Sequence, residues 1–71
     1  MIVLSTIQTK ITEAIRQSGL SQTEIAKRIG VTQSQISCYL HGRKLPALDT
    51  FANLCVALDA DPAYLLGVKD E

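Results

Sequence analysis

The amino-acid sequence predicts an all-α fold of five short helices without strands, and three observations carry that prediction. The segment "SQTEIAKRIGVTQSQISCYL", Ser21 to Leu40, writes the same helix-start pattern twice, as "LSQTEI" and "VTQSQI", with a glycine between the two copies. Elsewhere apolar residues recur at three- and four-residue spacing rather than in alternation. The composition, 46% apolar with one Phe, two Tyr and no Trp, suits a compact aliphatic helical core and argues against disorder. A chain of 71 residues reads as one small domain, able to bury about 60% of its unfolded surface.

Each element follows from local chemistry. Ser5 and Gln8 make a capping box that opens the first helix, with Ile7, Ile11, Ala14 and Ile15 on one face and an end near Ser18-Gly19. For the second helix, Ser21 caps the Glu24 amide, the Glu24 side chain reaches back to the Ser21 amide, and Leu20 with Ile25 form a hydrophobic staple. Gly30 then supplies the left-handed residue that ends it. Thr32 with Gln35, and Val31 with Ile36, repeat box and staple for the third helix. After Gly42 and the loop "RKLP" comes a fourth helix with Leu48, Phe51, Leu54, Cys55 and Leu58 at helical spacing. Its cap position falls on Ala47, a poor capping residue, and Asp49 compensates in part through the helix dipole. Asp61-Pro62 reads as cap and first position of a short fifth helix, through Leu66 and stopped by Gly67.

Net charge is zero, but its distribution is uneven. Residues 1–48 carry six basic and two acidic side chains, +4, and residues 49–71 carry one and five, −4. Lys27, Arg28, Arg43 and Lys44 bracket the two-helix unit, so one end of a neutral molecule can be steered onto phosphates. No apolar run reaches the length of a membrane span, and the opening "MIVL" is too short for a signal peptide, so a cytoplasmic protein with no membrane partner is expected. Cys38 and Cys55 are accordingly read as free thiols, Cys55 as a small core residue. Cys38 and His41 stand at ligand spacing, but two ligands without companions make no metal site. With one histidine and no phosphate loop or nucleophile–base pair, no enzymatic activity and no cofactor are expected.

The third helix carries the functional signal. At about 100° per residue, Ile36, Tyr39 and Leu40 fall on one side and face the core. Opposite stand Ser34, Ser37, Cys38 and His41, with Gln33 at the leading end, a small, polar, uncharged and exposed face. A solvated surface helix more usually carries Glu and Lys there. Small hydrogen-bonding side chains suit a helix lying in the DNA major groove, and Gln matches the donor–acceptor edge of adenine.

Residues 22–40 resemble the helix-turn-helix of the lambda-repressor-like, Cro-type (XRE) family, with Ile25, Ala26, Ile29, Gly30, Val31, Ile36 and Tyr39 at the family's structural positions. The continuation "ISCYLHGRKLPALDTFANLCVALDADPAYLLG" is similar too, and the likeness extends from about Ser5 to Gly67. It implies a compact five-helix lambda-repressor-like domain over 1–71, in which the second helix positions a third, recognition helix. The resemblance further implies that Gln33, Ser34, Ser37 and Cys38 read bases, with Thr32 at the edge. Gln22 is then expected at a phosphate, where it can brace Gln33, and Arg43, Lys44 and His41 at backbone phosphates.

The expected function is that of a sequence-specific regulator, a repressor of phage or mobile-element type. It would bind double-stranded DNA at a palindromic operator as a homodimer, because one module contacts few bases. Two alternatives keep the fold: an antitoxin-like protein whose main partner is a second protein, and a protein-interaction module without DNA affinity. Residues Met1 to Leu4 either cover the core or join a dimer contact.

Overall fold

The helix-start signals operate largely as local chemistry dictates. A computed structural model of the protein describes residues 1–69, with five helices among them: α1 (Leu4–Gln17), α2 (Gln22–Ile29), α3 (Gln33–Leu40), α4 (Leu48–Leu58) and α5 (Pro62–Leu66). Asp70 and Glu71, counted above with the acidic end, lie outside the described residues. The Ser21 hydroxyl accepts from the Glu24 amide at 3.1 Å to cap α2, and Gly30 closes it with φ 73°. Thr32 and Gln35 form the complete reciprocal box at α3, with both bonds between 3.0 and 3.2 Å. At α5 the Asp61 carboxylate accepts from the Ala63 amide at 3.0 Å and Gly67 terminates the helix with φ 81°. Ala47 provides no side-chain cap for α4. That helix ends instead at Asp59 with φ 53°, a left-handed residue the sequence did not announce; Asp tolerates this conformation better than most residues.

The core is aliphatic. Ile11 and Ile15 of α1, Ile25 and Ala26 of α2, Ile36 and Tyr39 of α3, and Phe51, Leu54 and Cys55 of α4 are buried together with Leu65 of α5. Ile25 and Ile36 are wholly excluded from solvent. Each contributes roughly 1.5–3 kcal/mol of transfer free energy relative to exposure, so α2 and α3 are pinned through adjoining faces. Ala26 is the small residue on the buried face of α2, which packs against both α3 and α4. Burial raises the Tyr39 hydroxyl and the Cys55 thiol above their ordinary pKa values, because the ionised forms are poorly solvated there.

Four expectations are corrected. Ser5 does not cap α1: the helix begins two residues earlier, with Val3 as an extended N-cap residue lacking a side-chain bond, and Ser5 lies inside it. The Ser5 carbonyl accepts from the Thr9 hydroxyl at 2.9 Å, and Gln8 is drawn away to the Gly42 carbonyl. A long-range bond there outcompetes the local box. Likewise Glu24 does not reach back to the Ser21 amide; its carboxylate takes the Arg28 Nε at 2.9 Å, and that guanidinium holds its pKa below the ordinary range. Leu48 does not join the core: it is 85% exposed at the first position of α4. Met1 to Leu4 do not cover the core either, all four being exposed, although Ile2 lies beside Gly67.

Candidate nucleic-acid interface

A reading helix must be held rigidly at both ends, and α3 is. At its start the Thr32–Gln35 box satisfies the Gln35 and Thr32 amides reciprocally, which commits Gln35 to structure and leaves the neighbouring side chains unengaged. Gln33 and Ser34 are exposed, and among the described residues neither side chain makes a hydrogen bond. Their amide and hydroxyl are therefore available to a ligand without breaking an internal bond.

The far end is tied to α1. Thr12 Oγ1 donates to the Leu40 carbonyl at 3.0 Å, and the Gln8 side-chain amide donates to the Gly42 carbonyl. The Leu40 carbonyl is one that a helix end leaves without an intrahelical partner, and Gly42 follows just past the C-cap His41. The Arg43 amide closes the turn onto the Cys38 carbonyl at 2.9 Å, with Gly42 at φ 71°. A side chain at Gly42 would also press on Gln8, whose Cδ lies 3.2 Å from the position of an added Cβ. Gln8 and Thr12 are thus positioning residues for α3. Sequence reasoning missed them because their partners lie 34 and 28 residues away, and no local pattern marks such a bond.

The remaining predicted site residues divide by exposure. His41 is exposed, and its Nδ1 lies 2.9 Å from the Ser37 carbonyl and 3.3 Å from the Ser37 hydroxyl oxygen. Both contacts are made by Nδ1, so Nε2 is the ring nitrogen left for an outside partner. Ser37 is half-buried. Cys38 is also half-buried, where an exposed thiol was expected on this face. Thr32 is exposed but its hydroxyl is occupied by the cap.

Arg43 and Lys44 are exposed in the loop directly after α3. Gln22 is half-buried at the first position of α2, and among the described residues no hydrogen bond joins it to Gln33, so the brace between them is not formed. Arg28 departs from the basic group anticipated around the two helices, because it pairs with Glu24 and borders a groove with Asn53 and Val56 of α4. Cys38 and His41 gather no third ligand; among the described residues no group of three His, Cys, Asp or Glu side chains is placed to hold a metal ion. No helix in that range is long and apolar enough to cross a membrane.

Two capped helices joined at a left-handed glycine, the second presenting uncharged hydrogen-bonding side chains beside an exposed basic loop, define a helix-turn-helix DNA-binding domain. The model of the family described as "Helix-turn-helix" matches residues 11–65, and the chain belongs to that family, in its lambda-repressor-like (XRE) branch. Neither the comparison with curated proteins nor that with solved structures gave a match. The protein is therefore a DNA-binding regulator of the XRE type, from a family of regulatory rather than enzymatic domains.

Proposed function

We propose that the protein is a cytoplasmic transcriptional repressor of phage or mobile-element type. It binds as a homodimer to a twofold-symmetric operator and inserts α3 of each copy into the major groove. In this reading Gln33, Ser34, Ser37 and Cys38 meet base edges, with Thr32 at the margin, while Gln22, Arg43, Lys44 and His41 meet phosphates. The observation that carries it is the first turn of α3. Gln33 and Ser34 are exposed and uncharged, and their side chains make no hydrogen bond among the described residues, on a helix start fixed by the complete Thr32–Gln35 box. A Gln side chain so presented matches the acceptor and donor of adenine, and a half-site spacing of about one turn, roughly 34–36 Å, suits a dimer.

A second reading has its own support: Met1, Ile2, Val3, Leu4 and Val68 are exposed apolar side chains, and Ile2 lies beside Gly67. Such a cluster suits a protein partner, as in an antitoxin-like regulator. A gel shift on the DNA upstream of the protein's own gene, with and without the product of the neighbouring gene, separates the two. A sequence-specific shift by the protein alone supports the repressor. A shift that requires the neighbour's product supports the partnered regulator, and no specific shift in either arm contradicts both.

A further inference from the structure

The outward face of α4 is unusual for a solvated helix. Leu48, Ala52 and Val56 follow one another at four-residue steps, all exposed, with Leu48 and Val56 at 85% and 82%. Successive members drift by only about 40°, so they form one stripe. Asp49 is the only charged residue of the helix. Asn53 flanks the stripe on the side of α2, where it and Val56 share a groove with Arg28, and Asp49, one turn before Asn53, falls on the same flank by helical spacing. Arg28 bonds Glu24 through Nε, which leaves its other guanidinium donors for a second carboxylate.

We propose that two copies of this chain pair through this face, their α4 helices antiparallel about a twofold axis at Ala52, with Asp49 of each copy meeting Arg28 of the other. The register is self-complementary. An axis at residue 52 sets Leu48 of one copy opposite Val56 of the second, twice, and the small Ala52 at the crossing lets the helices approach. A twofold axis across an antiparallel pair keeps the α2 side of one helix against the α2 side of the other. Asp49, one turn before the axis, therefore comes to the groove beside Val56 of the second copy, where Arg28 stands. Such a contact is isologous and closed, the arrangement expected of a dimer rather than a fibre.

The proposal names the dimer surface and rests on the reading that the protein acts as a dimer on DNA. It leaves α3 uncovered, because none of these residues belongs to the reading face and α2 stands between α3 and α4. Sedimentation equilibrium of the free full-length chain tests it without DNA. Val56→Glu should lower the association constant about tenfold or more, with an unchanged melting temperature at concentrations where the parent too is monomeric, because the site is exposed in the single chain. Asp49→Arg and Arg28→Glu should each weaken association, and the double variant should recover most of the loss, since reversed charges still attract across the axis. Leu4→Glu, at the other apolar cluster, should leave association unchanged.

A parent that stays monomeric up to ~1 mM would overturn the proposal. So would association unaffected by Val56→Glu, a double variant no better than the single ones, or loss of association in Leu4→Glu. Failure of the DNA reading looks different: dimerisation persists and responds to these variants, while no sequence preference is found on duplex DNA.

Discussion

Gly30 shows how a single residue sets the geometry of the reading unit. Its φ of 73° turns the chain between α2 and α3, and an added Cβ would meet nothing within 4 Å, so any penalty there is backbone strain alone. Gly30→Val is expected to cost about 1–3 kcal/mol, read as a lower thermal midpoint; an unchanged midpoint would mean the turn tolerates a β-branched residue. Tyr39 and Cys55 govern a different response. Their folded-state pKa values are raised above the ordinary 10.0 and 9.0, first of all by burial. The unfolded chain therefore releases these protons first as pH rises, and stability that is complete below the ordinary values is lost through and above them. Thermal midpoints should fall as pH climbs from 8 through 9 and 10, and Tyr39→Phe should flatten the decline. A midpoint insensitive to pH in that window would contradict the burial of both groups.

At the scale of elements, the ties between α1 and the end of α3 decide how the recognition helix is aimed. Thr12→Val keeps the shape but leaves the Leu40 carbonyl without its donor, a part-buried bond whose loss is expected to cost about 1–2 kcal/mol. DNA affinity should fall beyond the change in folded fraction, because the end of α3 is released; equal affinity at equal folded fraction would show that α1 does not aim it. What was legible in the sequence at this scale is what local bonds determine. Ser21, Gly30, Thr32 with Gln35, Asp61-Pro62 and Gly67 each act within a few residues of themselves, and each is found in its anticipated role. Ser5 with Gln8, and Glu24, failed for one reason: a side chain able to make a local bond found a better partner, Gly42 for Gln8 and Arg28 for Glu24. Leu48 failed because periodicity marks a stripe but not where the core beneath it ends. In the site, the uncharged face of α3 was legible, whereas the half-burial of Cys38 and the positioning roles of Gln8 and Thr12 depend on which helices meet.

The whole molecule is neutral yet divided, and its basic loop after α3 is where counterion release should be felt. Replacing Arg43 and Lys44 by Ala should weaken binding to all sequences alike. It should also make the slope of log affinity against log salt shallower, by about one for each phosphate no longer neutralised; an unaltered slope would place the loop off the DNA backbone. The central claim, that the exposed first turn of α3 reads sequence, is tested most directly by selecting binding sites from random duplexes with the parent protein and with Gln33→Ala. The account predicts a twofold-symmetric site with an A·T pair under Gln33 in each half. In the variant, preference at that pair alone should relax, at a cost of about 1–3 kcal/mol per half-site. Relaxation at a different position, or a parent protein that selects no sequence at all, would contradict it.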